Sequence, residues 1–210
     1  LNLSQAVPSY APAEELRAEI ARLALLPETG LYTAIRGNDD LRAGLAAHMG
    51  KDYGAGLAAE DVTITAGCNQ AFCTVMATLA GPGDEVILPT PWYFNHKMWL
   101  DMSSVKTVAL DTGSTLIPSA EAAATLITER TRAIVLVSPD TPGGVEYPAE
   151  TLAAFRDLCR AKGLALIVDE IYLALTYDGV EHSAARWDDV FVINSFSKFF
   201  LMTGWRLGWL

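Results

Sequence analysis

The chain has 210 residues, 51% of them hydrophobic, and a formal net charge of −10. That length sets one domain of ordinary size, or one and a fraction, with ample apolar material for a core. The acidic balance and scattered basic residues argue against nucleic acid or an anionic membrane surface as the main partner, while leaving room for local phosphate binding. Cys68, Cys73 and Cys159 fit neither a disulfide framework nor a zinc motif, and Cys68 and Cys73 read as core or site-lining residues. No run is apolar enough to span a membrane and no signal peptide is visible, so a cytoplasmic protein is expected.

Residues 1–12 read as extended, punctuated by Pro8 and Pro12. Ala13 to Leu25 has helical apolar spacing (Leu16, Ile20, Leu23) behind the acidic pair Glu14-Glu15, which suits a helix start. After a loop at Gly30-Leu31-Tyr32-Thr33, Asn38 or Asp39 is placed to cap a helix over 40–50, with Leu41, Leu45 and His48 on one face. Val62-Thr63-Ile64-Thr65 predicts a short strand, Ala66 to Asn69 a tight turn, and Gln70 to Leu79 an apolar helix. Glu85 to Leu88 predicts a strand, Tyr93 to Met102 a helix, Val105 to Leu110 a strand, and 118–128 a short helix. Ala133 to Val137 is a continuous apolar strand, followed by a sharp turn at Ser138-Pro139-Asp140-Thr141-Pro142-Gly143-Gly144. Ala149 to Lys162 is an amphipathic helix, Leu164 to Val168 a strand ending in Asp169-Glu170, and Val190 to Ile193 a strand feeding Ser195 to Lys198. Leu207 to Leu210 starts one more. Both ends, Leu1-Asn2-Leu3 and Trp209-Leu210, read like the middle of a longer chain, so a fragment is expected.

Strands alternating with helices, the strands themselves uninterrupted apolar runs, imply a mostly parallel sheet covered on both faces: a three-layer αβα architecture. Ligands of such sheets bind at the carboxyl ends of the strands. Those ends carry the unusual residues. Gly67-Cys68-Asn69 opens a helix and offers an anion site. Asp169 ends an apolar strand, where a carboxylate is costly unless it is paired. Tyr93 can stack on a flat ligand, and Arg206 can grip a phosphate bidentately. Lys198 follows a buried strand, where poor solvation favours the neutral, nucleophilic amine. Taken singly, each has a bland alternative: a tight turn, a helix cap, core packing, a structural ion pair, a surface lysine. Taken together they are the parts for holding pyridoxal 5'-phosphate (PLP). His48, His96 and His182 have no ligand-like spacing, so no metal site is expected. Trp92, Phe94 and Trp99 read equally as site wall or core.

From about residue 2 to its end the chain resembles the PLP-dependent aminotransferases of fold type I, class I/II. The resemblance rests on Ser195-Phe196-Ser197-Lys198 through Gly204-Trp205-Arg206-Leu207-Gly208, on Val168-Asp169-Glu170-Ile171-Tyr172, on Thr65 to Ala71 with Gly81-Pro82-Gly83-Asp84-Glu85-Val86, and on Pro89-Thr90-Pro91-Trp92-Tyr93. It implies a PLP-binding large domain over 31–210, preceded by an N-terminal segment over 1–30. A C-terminal small domain, with the arginine that clamps the substrate carboxylate, would lie outside these residues. It implies that Lys198 forms a Schiff base with PLP and then shuttles a proton, that Asp169 pairs with the pyridine nitrogen, and that Tyr172 bonds the phenolic oxygen. Tyr93 is implied to stack on the ring, with Gly67, Cys68 (mainly through its backbone), Asn69, Ser195 and Arg206 holding the cofactor. Tyr32 is implied to reach the site of a neighbouring subunit in a homodimer, and Ala6 to border the substrate. One departure stands out: Thr141 occupies the place of an asparagine that contacts the phenolic oxygen in relatives, and a hydroxyl offers one donor only. The implied reaction is amino transfer from an amino acid to a 2-oxo acid. A C–S lyase on the same scaffold, or an effector domain of a transcription regulator, are the alternatives.

Overall fold

The computed structural model describes residues 5–176 and 182–210. Its centre is a seven-stranded sheet in the order β1-β7-β6-β5-β4-β2-β3. The strands are β1 (Ile64–Thr65), β2 (Glu85–Thr90), β3 (Lys106–Asp111), β4 (Thr131–Val137), β5 (Ala165–Asp169), β6 (Val190–Ser195) and β7 (Gly208–Trp209). From β3 through β2, β4 and β5 to β6 every pairing is parallel, while β7 runs antiparallel to both β6 and β1. The carboxyl ends of β1, β2, β4, β5 and β6 therefore share one edge, and the residues just before β7 join them there.

Successive strand residues point to opposite faces, and both faces are dry. Val86, Leu88, Ala133, Val135, Ile167 and Ile193 pack against Ala71, Phe72, Val75, Met76 and Leu100. These come from α3 (Cys68–Leu79) and α4 (Phe94–Met102). Ile87, Ile134, Leu136, Leu166 and Val168 pack on the other face against Ala123, Leu152, Phe155 and Cys159, from α5 (Ala120–Leu126) and α6 (Ala149–Lys162). Burial on both sides is why the central strands read as continuous apolar runs rather than alternating ones. Burying one such Val, Leu or Phe contributes roughly 1.5–3 kcal/mol.

The three-layer reading holds, with adjustments at the periphery. The expected strand at Val62 to Thr65 pairs with β7 only at Ile64 and Thr65, because Val62 turns its side chain into a separate cluster with Leu45, Ala46 and Trp209. That cluster fixes α2 (Asp39–Tyr53), whose buried residues are Leu45, Ala46 and Met49. His48 does not share the face expected for it: half-exposed, it pairs with Asp52 one turn on, Nδ1 to Oδ2 at 2.8 Å. α1 (Glu14–Leu23) buries none of its residues. No helix among the described residues is long and apolar enough to cross a membrane.

Candidate active site

Asp169 closes β5 and is 2% exposed. Its Oδ1 accepts from the Ile171 amide at 3.1 Å and from the Cys68 thiol at 3.3 Å. Its Oδ2 lies 3.3 Å from Nε2 of His96, which is equally buried. Two donors and a neighbouring imidazole thus surround one buried carboxylate, which would be costly without partners. The His96 ring stacks on Phe72 at 4.0 Å between centroids and meets Tyr93 edge-on at 5.0 Å. Burial, and next the charge of Asp169, push the Cys68 thiol well above its ordinary range. It stays protonated and acts as a donor.

Lys198 follows β6 by way of Ser195, so its amine enters the same edge. Nζ donates to the Ala6 carbonyl and lies 5.5 Å from the centre of the Tyr172 ring. Burial lowers its pKa, the direction that increases neutral amine. Burial raises the pKa of the Tyr172 phenol, and the neighbouring Thr141 hydroxyl partly offsets that rise. Thr141, at the place where relatives carry an asparagine, stands beside the Tyr172 phenol.

The anion cradle is built from backbone and one guanidinium. Gly67, at φ +84°, immediately precedes α3. A Cβ on it would stand 2.1 Å from Nη2 of Arg206, so glycine is what lets the guanidinium lie against the turn. Arg206 Nη1 donates to the Thr203 carbonyl at 2.8 Å and Nη2 to the Ala66 carbonyl at 3.3 Å. Gly208 is needed for a similar reason: its Cβ would meet the Gly67 carbonyl carbon at 2.7 Å and the Asn194 oxygen at 2.8 Å. Ser195 is buried, and its hydroxyl accepts from the Ser197 amide at 3.1 Å. The N–H groups of the first helical turn have no partners within their own helix. With Arg206 beside them, they offer the kind of donor set that an anion can use.

Of the remaining candidates, Tyr93 and Asn69 belong to this edge: the Tyr93 phenol accepts from Asn95 at 2.8 Å, and Asn69 lies close enough to offset part of the rise that burial gives its pKa. Tyr32 does not join the site of its own chain; it is fully exposed on the loop after Gly30, near the exposed Leu31 and Ile35. Trp92 and Trp99 pack against the core, whereas Phe94 is exposed. Sequence reasoning missed His96, set aside there because it lacks metal-ligand spacing, and missed that the Cys68 side chain turns to Asp169. The one available signal was position: His96 falls in the first turn of the helix that begins beside Tyr93. Glu170, next to Asp169, faces elsewhere. Its Oε1 accepts from the Ala184 amide at 2.6 Å and its Oε2 from the Ser183 hydroxyl at 2.8 Å. Burial pushes it up to about 7 against those bonds.

A buried carboxylate, a desolvated lysine and an anion cradle at one sheet edge define a cofactor-holding α/β domain, and comparison with known proteins makes this specific. The family model for aminotransferase class I and II matches residues 1–210, and the chain belongs to that family. It is 34% identical to the valine–pyruvate aminotransferase of Mycobacterium tuberculosis and 36% identical to the arginine–pyruvate transaminase of Pseudomonas aeruginosa. In both cases the match takes in 100% of this chain and 55% of the relative. It superposes on a mutant aspartate aminotransferase of Thermus thermophilus with a TM-score of 0.91 at 31% identity, over 99% of this chain and 58% of that one. The chain therefore spans about half the length of the relatives it matches. Members of the family use pyridoxal phosphate.

Proposed function

We propose that this chain is the cofactor-binding part of an aminotransferase that moves an amino group from an amino acid to a 2-oxo acid. The observation that carries the reading is the arrangement around Asp169: a buried carboxylate with two hydrogen-bond donors and His96 beside it, on the same sheet edge as Lys198 and the Gly67–Arg206 cradle. The donor set suits pyridoxal phosphate at both of its ends. A dianion matches Arg206, Ser195 and the start of α3, and a cationic ring nitrogen matches Asp169. Gly67 keeps the cradle free of side chain.

When bound, the cofactor supplies an electron sink that makes an amino acid's α-proton labile. The protein does the rest. Lys198 is the covalent anchor, and its Nζ, neutral more readily because it is desolvated, takes the α-proton and later returns it. Asp169, with the Ile171 amide and the Cys68 thiol donating to it and His96 beside it, would meet the ring nitrogen and favour its protonated form. Tyr172, backed by Thr141, directs a phenol toward the ring oxygen. Tyr93 gives the ring a flat neighbour, and Asn69 holds the Tyr93 hydroxyl. Ala6 borders the substrate side.

Two coarser features go with this reading. Tyr32, fully exposed beside two other apolar residues, fits an arm that reaches a second copy's site in a homodimer. The free thiols of Cys68, Cys73 and Cys159 suit the reducing cytoplasm.

The test is spectroscopic. Pyridoxal phosphate added to the purified protein should give a new absorbance band, and borohydride should fix the cofactor on the peptide containing Lys198. An amino acid should then shift the band and release its 2-oxo acid, and a second 2-oxo acid should restore it. Ammonia release in place of that cycle would identify a lyase. Lys198→Ala should abolish the trapping and lower turnover by at least about 10²–10⁴-fold, the range for a lost acid–base group.

A further inference from the structure

Two hydrogen bonds join the chain's beginning to its lysine loop, and they run in opposite directions. The Lys198 amine donates to the Ala6 carbonyl. The Tyr10 hydroxyl donates to the carbonyl of Phe199, the next residue, at 2.8 Å. A strap of five residues, Ala6 to Tyr10, is thereby fastened at both ends to one dipeptide. The strap has little else to hold it: Ala6, Val7 and Tyr10 are exposed, and none of its residues is buried. Its own backbone contributes a single tight bond, from the Val7 amide to the Gln5 carbonyl at 3.1 Å. Pro8, between the two fastening points, fixes one φ and stiffens the span. An exposed strap held by two bonds stays down only while both persist, because each bond offsets the chain entropy that release would regain.

We infer that Tyr10 is a positioning residue: its phenol latches the N-terminal strap onto Phe199 and so delivers the Ala6 carbonyl to the Lys198 amine. The latch needs the hydroxyl and not merely the ring, since the contact recorded is oxygen to backbone oxygen. Its acceptor is a main-chain carbonyl one residue from the lysine, so a shift of the strap is felt at Nζ directly. A carbonyl beside Nζ orients the amine and keeps water from one side of it. This deepens the aminotransferase reading and rests on it for its bearing on catalysis; the latch itself does not.

The experiment compares the protein with Tyr10→Phe, which keeps the ring and removes the oxygen. Lys198 of the cofactor-free protein is labelled with an amine-directed reagent across a pH series, and the modified peptide is quantified by mass spectrometry. With the latch gone, the limiting labelling rate at high pH should rise about three- to tenfold, the loss expected for one hydrogen bond. The midpoint of the profile should move up towards that of an ordinary lysine as water replaces the strap. The other ionisable groups at this edge, Tyr172, Tyr93, Asp169 and Arg206, are left in place by the substitution. Hydrogen exchange of the Val7 amide, the bonded amide of the strap, should quicken by a similar factor while that of β5 and β6 is unchanged. Labelling and exchange that superpose on those of the parent would overturn the latch. Borohydride trapping of pyridoxal phosphate, run on both proteins, keeps the two ideas apart. Trapping in both with identical labelling sinks the latch alone. No trapping in either, with faster labelling in the variant, sinks the cofactor reading alone.

Discussion

Asp169 and Glu170 are consecutive, equally buried and both carboxylates, yet they serve opposite sides of the end of β5. Asp169 turns toward α3 and α4, where Cys68, the Ile171 amide and His96 surround it. Glu170 turns toward 183–185, where one amide and one hydroxyl hold it. Alternation along a strand separates the two side chains at no cost, so one dipeptide carries both a chemical group and a structural clamp. Burial alone does not mark a functional carboxylate. The neighbours decide: Asp169 shares its edge with a lysine and an anion cradle, and Glu170 meets only groups that tie down a loop.

The largest test of that contrast is Asp169→Ala. On the proposed role of Asp169 towards the ring nitrogen, its loss should cost about 10²–10³-fold in turnover, comparable with deleting one preorganised electrostatic contact, and steady-state kinetics would show it. Glu170→Gln should leave turnover near the parent's and alter stability instead. The folded protein holds Glu170's proton up to about pH 7, while an unfolded chain gives it up near the ordinary carboxylate value. The parent should therefore lose stability as pH rises from about 4.5 to 7, by on the order of 3 kcal/mol, and level off above. Urea unfolding at pH 5 and pH 8 should show that slope in the parent and not in Glu170→Gln; parallel behaviour would mean Glu170 titrates normally. His96→Phe keeps the stack on Phe72 and removes the imidazole nitrogen beside Asp169, and a loss of about tenfold in turnover is expected. A fully active variant would reduce His96 to packing. The smallest effect belongs to Thr141→Asn. An amide offers two N–H donors where the hydroxyl offers one, so the pH optimum should move down, and an unchanged optimum would show that the Thr141 hydroxyl already suffices.

Much of this contrast was legible in the sequence. Leu166 to Val168 and Ala133 to Val137 announce central strands because both of their faces are covered. Lys198, Asp169, Tyr172 and Arg206 stand out because special residues follow bland ones. The short strands were harder to place: β1 and β7 each pair over two residues, and their positions depend on one another rather than on local propensity. His96 was invisible because a lone histidine in a helix has no spacing to read. The turning of Cys68 to Asp169 and the fastening of Ala6 and Tyr10 to the lysine loop join residues 101 to 192 positions apart, and no local pattern encodes such pairs.

The antiparallel strand β7 also sets an order of events. Among the described residues β1 lies at the sheet's border and pairs with β7 alone; Thr63 and Leu210 extend the pair with reciprocal backbone bonds of 2.8 and 2.9 Å. The turn at Gly67 and the start of α3 therefore wait for residues made some 140 positions later. During synthesis, β2 to β5 can pair among themselves as soon as they leave the ribosome. The turn at Gly67 is completed only when Arg206 and β7 emerge, so a nascent chain stalled before that point would carry β2 to β6 without the guanidinium that lies against the turn.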